Sequence, residues 1–261
     1  MIRIILNADD FGKSPERNRA IADAFDKGLI SAAGLIVTGQ HLQQAVDLIE
    51  ERGLWEKVHL HINLSANLLQ EKSEDAPLSG AMKEDRFFCT DGKFKPYKGL
   101  PQQFSSIVKW RVVYKEMVAQ YKKFMEVSRG KGDISHLDFH LWYNLTWPVA
   151  VALNLFTWRY RIRSVRYLGQ YQRRFVRNRV FRAVSWNPFV KTVPSANIDY
   201  FLSKRQFFNR YKLVELYCHP HYKDGVFLDD SPSYLKHERQ PLPAQVQMLK
   251  AKEDAVIVSW L

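Results

Sequence analysis

Residues 1–38 read MIRIILNADDFGKSPERNRAIADAFDKGLISAAGLIVT and contain a strand, a helix and a second strand in succession. The apolar run from Ile2 to Asn7 predicts a buried strand, and the apolar residues at 34–38 predict the next one. Between them, residues 17–27 carry apolar side chains at the spacing of an amphipathic helix, namely Ala20, Ile21, Ala24 and Phe25. This order of elements indicates a parallel βαβ unit.

The same alternation continues along the chain. Further strands are predicted near residues 58–64, 134–138, 161–165, 212–217 and 255–259, and further helices at 41–51 and 104–127. Seven or so strands separated by helices are typical of an α/β barrel or of a doubly wound sheet. The 261 residues, of which 46% are hydrophobic, match the size of one such barrel. We therefore predict a single domain over residues 1–261.

Two segments depart from this alternation. Residues 66–102 contain several turn-forming glycines and prolines, and we predict an inserted loop or flap there. Residues 158–182 are basic and aromatic, and no acidic residue occurs between Asp138 and Asp199. This basic stretch accounts for most of the net charge of +12. It is either a solvated helix face or a surface for an anionic membrane, a phosphorylated substrate or a nucleic acid.

The composition also excludes several classes. No secretory pattern is visible at the N-terminus, and the longest apolar run, near residues 145–158, is interrupted by Pro148 and is too short to span a membrane. Cys89 and Cys218 lie far apart and show no CxxC spacing, so neither a disulfide framework nor a cysteine zinc site is indicated. We expect a cytoplasmic protein.

Histidines and aspartates follow the predicted strands. They are Asp9 and Asp10 after the first, His59 and His61 in the third, His136, Asp138 and His140 around the fourth, and His219 and His221 after the strand at 212–217. Each group alone has a simpler explanation, such as a helix N-cap pair for the aspartates or a core position for a histidine. Because carboxyl ends of parallel strands gather in one place, their coincidence favours a shared site.

Imidazole and carboxylate together suit a divalent metal ion such as zinc. Such an ion lowers the pKa of bound water toward about 7. The adjacent aspartates then divide two roles, since one can ligate the ion while the other takes the proton of the attacking water. The sequence therefore predicts a metal-dependent hydrolytic site.

Five stretches carry a family resemblance: NADDFGKSPERNRAIADAFDKGLISAAGLIVTG (7–39), HLHINLS (59–65), HLDFH (136–140), RIRSVR (161–166) and ELYCHPHY (215–222). Together they resemble the YdjC-like carbohydrate deacetylases of the ChbG and HpnK type. The resemblance implies a distorted TIM-barrel-like fold of about seven strands. It also implies a metal-dependent hydrolase that removes the N-acetyl group from an amino sugar.

Carried over by position, the resemblance implies a role for each of several residues. The ligands of a divalent ion, Mg²⁺ or Zn²⁺, would be Asp10, His61 and His140. Asp9 would be the general base, and His219 would protonate the departing amine or stabilise the oxyanion. Arg163, or failing that Arg166, would orient a catalytic carboxylate or bind substrate, and the sequence does not separate these two arginines.

The chain differs from the family pattern after the fourth strand and at two glycines. The family continues with further histidines, whereas this chain keeps His140 and then reads LWYN, so His136 is an alternative ligand. Trp142 replaces one of those histidines, and we interpret it as a sugar-stacking contact. His59 and His221 stand where the family has glycine, which indicates an altered substrate site.

The leading hypothesis is therefore a metal-dependent deacetylase acting on an N-acetylated sugar, either an oligosaccharide or a glycan linked to a lipid or phosphate. The alternative is a catalytically impaired glycan-binding protein on the same barrel. No nucleic acid is expected as a partner, because no recognised binding module accompanies the arginines. The sequence leaves two further possibilities open. Residues 158–182 can make peripheral contact with an anionic membrane, and the protein can form a homodimer.

Overall fold

The computed structural model describes residues 1–65, 75–95, 109–140, 147–167, 190–231, 241–252 and 255–260, which form seven α-helices and twelve strands. The strands are β1 (Ile2–Phe11), β2 (Ala32–Leu35), β3 (Val58–Ile62), β4 (Cys89–Thr90), β5 (Lys93–Phe94), β6 (Asp133–Phe139), β7 (Ser164–Tyr167), β8 (Lys191–Asn197), β9 (Leu213–Cys218), β10 (Pro220–Lys223), β11 (Val226–Asp229) and β12 (Ala255–Ile257). The helices are α1 (Pro15–Asp26), α2 (Leu42–Arg52), α3 (Gly80–Lys83), α4 (Trp110–Val127), α5 (Trp147–Tyr160), α6 (Ile198–Ser203) and α7 (Leu242–Lys250).

Seven parallel strands close into a barrel. Their order is β1, β2, β3, β6, β7, β8 and β9, and β9 pairs again with β1 to complete the ring. This arrangement confirms the prediction of a TIM-barrel-like α/β fold with about seven strands. The ring is distorted on one side, because the amino-terminal half of β1 pairs with β12 and its carboxyl-terminal half pairs with β2.

The predicted set of strands missed one member of the ring, β8. The predicted strand at 255–259 is present as β12, which pairs with β1 outside the ring. Pro194 lies within β8 beside Tyr167 of β7, and a proline inside a run argues against a central strand. The structure accommodates it, and residues 193–197 of β8 are all buried.

The helices follow the predicted periodicity. Ser14 caps α1, because its hydroxyl accepts a hydrogen bond from the backbone N–H of Arg17, and Pro15 takes the first helical position. The apolar residues of α1 and of α4 face the core. The first residues of the predicted helix at 104–127 lie outside the described part of the chain. Among the described residues, no helix has both the length and the apolar character needed to cross a membrane.

Part of the predicted flap packs against the barrel. Of residues 66–102 the structure describes 75–95, which contain α3 and the hairpin of β4 and β5. Glu116 of α4 is fully buried and accepts hydrogen bonds from the backbone N–H groups of Leu78 and Ser79, at 3.0 and 2.8 Å. The remainder of the flap, residues 168–182 of the basic segment and Trp142 lie outside the described residues.

The interior of the barrel is polar. Side chains two apart on a strand point to the same face, and inside this barrel those positions are occupied by buried polar residues: Asn7, Asp9, His59, His61, His136, Asp138, Arg166, Ser195, Asn197 and Glu215. In most barrels of this kind branched apolar residues fill these layers. The polar interior therefore marks a functional site and the layers that support it.

Candidate active site

A turn at the carboxyl end of β1 brings both neighbouring aspartates into one site. Consecutive residues of a regular strand point in opposite directions. Asp10, however, has a φ of 72°, in the left-handed region that non-glycine residues seldom adopt. As a result, carboxylate oxygens of Asp9 and Asp10 both lie within reach of His219 Nε2, at 4.0 and 3.9 Å.

The following residues hold this turn. Gly12 has a φ of 98°, and a Cβ atom there would lie 2.7 Å from the carbonyl oxygen of Ile36, so only glycine fits. The side chain of Asn18 accepts a hydrogen bond from the N–H of Gly12 at 2.7 Å and donates one to the carbonyl of His41 at 3.0 Å. The turn at Asp10 and Gly12 is thus held by Ile36 on one side and by Asn18 on the other.

Asp10, His61 and His140 form a compact group, which we call the metal trio. Their ligand atoms lie within 4.8 Å of one another, and all three side chains are buried. His140 Nδ1 lies 2.7 Å from Asp10 Oδ1, and His61 Nε2 lies 3.6 Å from the same oxygen. One carboxylate and two imidazoles from three strands are a donor set that fits a catalytic zinc-like ion with an open position.

The orientation of His61 supports a role as a ligand. Its Nδ1 donates a hydrogen bond to Asp138 Oδ1 at 2.6 Å, which leaves Nε2 directed toward Asp10. Metal-bound histidines commonly donate their second ring N–H to a carboxylate in this way. Burial lowers the pKa of His61, but Asp138 and Asp9 outweigh it and raise the pKa to about 10. The surroundings therefore favour positive charge at this position.

Lys13 brings a further positive charge to the trio. Its Nζ lies 3.3 Å from Asp10 Oδ2 and 3.3 Å from His140 Nε2. Burial raises the pKa of Asp10, but His140 and Lys13 lower it well below the usual range of a carboxyl group. Sequence reasoning overlooked this lysine, although it directly follows the NADDFG motif.

Arg166 joins three carboxylates below the trio, and we call these four residues the Arg166 cluster: Arg166, Asp9, Asp138 and Glu215. The guanidinium binds both oxygens of Asp9, at 2.5 and 2.6 Å. It also lies 2.6 Å from Asp138 Oδ2 and 2.6 Å from Glu215 Oε1. Arg163, in contrast, is exposed and precedes β7, so the structure does not bring it to this group.

Burial and charge oppose each other in this cluster. Burial raises the pKa of Glu215, but Arg166 and His136 outweigh it and lower the pKa to about 2. Asp138 follows the same pattern, with Arg166 and His61 as the lowering groups. The sequence already indicates Asp138 among the groups at the strand ends, whereas it assigns Glu215 no role within the stretch 215–222. The inward-facing position of Glu215, which alternates with those of its neighbours on β9, is the signal that could have identified it.

The acid form of Glu215 should destabilise the fold. Because the pKa of Glu215 is about 2 in the folded protein and near 4.5 in the unfolded chain, the ionised side chain stabilises the fold above about pH 4.5. This stabilisation is lost as the pH falls toward 2. We expect Glu215→Gln to lower the free energy of unfolding by on the order of 3 kcal/mol at pH 7. The difference from the wild type should narrow between pH 5 and pH 3 in urea titrations. Glu126→Gln, at an exposed position of α4, is the matched control, and an equal loss there would contradict the assignment.

His219 reaches the site from the residue after β9. Its backbone N–H donates to Asp229 Oδ1 at 2.8 Å, and its Nδ1 lies 3.0 Å from the hydroxyl of Ser231. That hydroxyl donates to Asp229 at 2.6 Å and therefore accepts from His219 Nδ1. Nε2 is left facing Asp9 and Asp10, and the side chain is partly open to solvent.

A closed parallel barrel with these groups at the carboxyl ends of its strands defines a TIM-barrel-like protein with a candidate divalent-metal centre. The profile of the YdjC-like proteins matches residues 3–253, and the chain belongs to this family.

Several known proteins are similar to the chain. A carbohydrate deacetylase of Danio rerio is 30% identical over 141 residues, which are 54% of this chain and only 40% of that protein. Carbohydrate deacetylase 2 of Listeria innocua is 28% identical over 240 residues, covering 88% of this chain and 85% of that one. A crystal structure of a candidate cellobiose-phosphate cleavage protein of Enterococcus faecalis V583 superposes with a TM-score of 0.67 at 18% identity, covering 85% and 82% of the two chains. At this identity, the structural match supports the fold alone.

Proposed function

We propose that this protein is a divalent-metal-dependent carbohydrate deacetylase that hydrolyses the N-acetyl group of an amino sugar. One observation carries the proposal: a carboxylate held by an arginine, Asp9, lies directly beside the metal trio. The carbohydrate deacetylases among its relatives support the choice of substrate class. The nature of the ion, Mg²⁺ or Zn²⁺, and the carrier of the sugar belong to the same proposal.

When bound by Asp10, His61 and His140, the ion would supply a reactive water at neutral pH and draw negative charge onto the acetamide oxygen. Asp9 acts as the general base that takes the proton of the attacking water. Arg166 holds Asp9 in one orientation through two hydrogen bonds. Each carboxylate oxygen has two lone pairs, so the bound Asp9 can still accept a proton.

His219 acts on the other side of the reaction. Its Nε2 lies close to both aspartates, and its ring is held by Ser231 and by the hairpin that carries Asp229. Because its Nδ1 proton is donated to Ser231, Nε2 can receive the proton that Asp9 has taken from the water and pass it to the departing amine, which is a poor leaving group when unprotonated. General acid and base groups of this kind contribute about 10²- to 10⁴-fold each.

The test combines metal analysis with acetate release. The purified protein should contain a divalent ion and release acetate from at least one member of a panel of free, oligomeric and lipid-linked N-acetylated sugars. Asp10→Asn should lose both the ion of the trio and the activity, whereas Asp47→Asn, at an exposed position of α2, should keep both. Glycan binding without acetate release from any substrate would favour the alternative, a binding protein on the same barrel.

Loss of the Lys13 charge should strengthen metal binding. The Lys13 ammonium contacts two members of the trio and repels a divalent ion. Repulsion between two like unit charges about 4 Å apart costs about 1 kcal/mol in water and about 4 kcal/mol near a protein surface. We therefore expect Lys13→Met to raise the affinity at least about fivefold in calorimetric titrations. Lys27→Met, at an exposed position after α1, should leave the affinity unchanged, and weaker binding by Lys13→Met would show that the lysine assists the site.

A further inference from the structure

A second group of ligand-type side chains lies deeper in the barrel than the metal trio. His59 precedes His61 by two residues on β3, and His136 precedes His140 by four along β6, so both lie toward the amino ends of the strands. With Asp138 and Glu215 they form what we call the lower histidine cluster. All four side chains are almost completely shielded from solvent. Neither histidine has a part in the proposed reaction.

Several polar atoms of this cluster are unsatisfied. Among the described residues, His59 Nδ1 has no hydrogen-bond partner, and three further atoms, His59 Nε2, His136 Nε2 and Glu215 Oε2, have no hydrogen bond of good geometry. Buried polar atoms in native proteins are nearly always paired, and an exception calls for an explanation such as a bound ion. The four atoms come from three different strands, so no local feature of one strand accounts for them.

The spacing of these atoms suits a shared ion. Donor atoms about 2.0–2.2 Å from a tetrahedral zinc ion lie about 3.3 Å from one another. His59 Nε2 lies 3.1 Å from Asp138 Oδ2, without the alignment of a hydrogen bond, and His136 Nε2 lies 3.4 Å from Glu215 Oε2. Ligand atoms of His59, His136 and Asp138 all lie within 4.8 Å of one another.

The surrounding contacts orient the two imidazole-carboxylate pairs. His136 Nδ1 lies 2.9 Å from the hydroxyl of Ser164, which leaves its Nε2 directed toward Glu215. The rings of His59 and His136 meet edge to face, with centroids 4.8 Å apart. Trp260 stacks on His136 at 3.7 Å and lies 6.2 Å from the ring of His59. The indole therefore covers the pair and shields it from solvent.

The local charge also favours a cation. The three carboxylates of the Arg166 cluster outnumber its one guanidinium, and His61 beside Asp138 offsets only part of this excess negative charge. The remaining negative charge favours the binding of a cation.

We propose that His59, His136 and Asp138, with Glu215 beside them, bind a second divalent transition-metal ion in the barrel interior, separate from the ion of the metal trio. Two imidazoles with carboxylates favour zinc or a similar ion over magnesium. This ion lies deeper in the barrel than the reacting groups and has a structural role. Asp138 connects the two sites, because its Oδ1 holds His61 while its Oδ2 faces His59.

The first test counts zinc ions per chain. The full-length protein is equilibrated with Zn²⁺, freed of loose ions by gel filtration and analysed by mass spectrometry. We expect two ions in the wild type, one in His59→Gln and one in Asp10→Asn. The variant that carries both substitutions should hold none. His41→Gln, at the start of α2 and outside both clusters, is the control and should keep two. A single ion in the wild type, or no ion in Asp10→Asn, would overturn the proposal.

The second test requires no variant and so does not depend on the folding of His59→Gln. Crystals of the wild type are measured on both sides of the zinc absorption edge. We expect one anomalous peak between His59 and His136 and another at the metal trio. A peak at the trio alone, or an ordered water between the two histidines, overturns the second site. Acetate release by a protein with one ion would refute this inference only, whereas two ions without acetate release would refute the proposed function only.

Discussion

Asp9→Asn is expected to lower kcat for acetate release by about 10²- to 10⁴-fold, because it removes the general base. The amide is close in size to the carboxylate and can still accept one hydrogen bond from Arg166, so the barrel should remain folded. It cannot accept the proton of the attacking water. Steady-state kinetics on the best substrate of the sugar panel, with the melting temperature measured in parallel, check this prediction.

The metal content of Asp9→Asn separates loss of the base from loss of the ion. The metal trio does not include Asp9, so the variant should retain the ion at the trio and bind substrate with a similar KM. Its counterpart Asp10→Asn should lose that ion together with the activity. If Asp9→Asn released acetate with the kcat of the wild type, or lost its activity only because the trio no longer held metal, the assignment of Asp9 as the base would be wrong.

Arg166→Met is expected to cause the largest loss of stability. The substitution leaves Asp9, Asp138 and Glu215 buried together without the guanidinium that neutralises them. Removing one partner of a buried ion pair typically costs about 3–5 kcal/mol. The free energy of unfolding from urea titrations should fall by that amount. Activity should fall as well, through kcat rather than KM, because Arg166 is buried and positions Asp9.

Arg163→Met is the matched control for this prediction. It removes the same type of side chain from an exposed position three residues earlier in the chain. We expect its stability to change by less than about 0.5 kcal/mol, as is usual for surface substitutions. Greater loss of activity in Arg163→Met than in Arg166→Met would support the role in substrate binding or orientation that the sequence resemblance assigned first to Arg163.

The acidic groups inside the barrel are held by positively charged and histidine side chains that lie next to them. Four buried carboxylates, those of Asp9, Asp10, Asp138 and Glu215, face the barrel axis and are compensated by Arg166, Lys13 and the histidines. Their desolvation is unfavourable, and it is offset only while these partners stay in place. The stability of this barrel is therefore tied to the groups that we assign to the chemistry.

Much of the fold and of the candidate site could be predicted from the sequence. The alternation of strand and helix patterns led to the barrel, because hydrophobic periodicity is a local property that each segment carries by itself. Five of the predicted site residues do converge at the carboxyl ends of the strands: Asp9, Asp10, His61, His140 and His219. The motifs indicated them because parallel strands bring their ends together whatever the details of packing.

Other features depended on the tertiary structure. The strand β8 was missed because Pro194 argues against a strand locally, whereas pairing with β7 and β9 stabilises it. Arg163 and Arg166 are indistinguishable as residue types, and only the direction of β7 places one outside and the other beside Asp9. The sequence by itself determined the elements and the chemical groups at their ends. The depth, direction and partner of each side chain were decided by long-range strand pairing, since residues such as Asp9 and Arg166 are 157 positions apart and no local pattern records their contact.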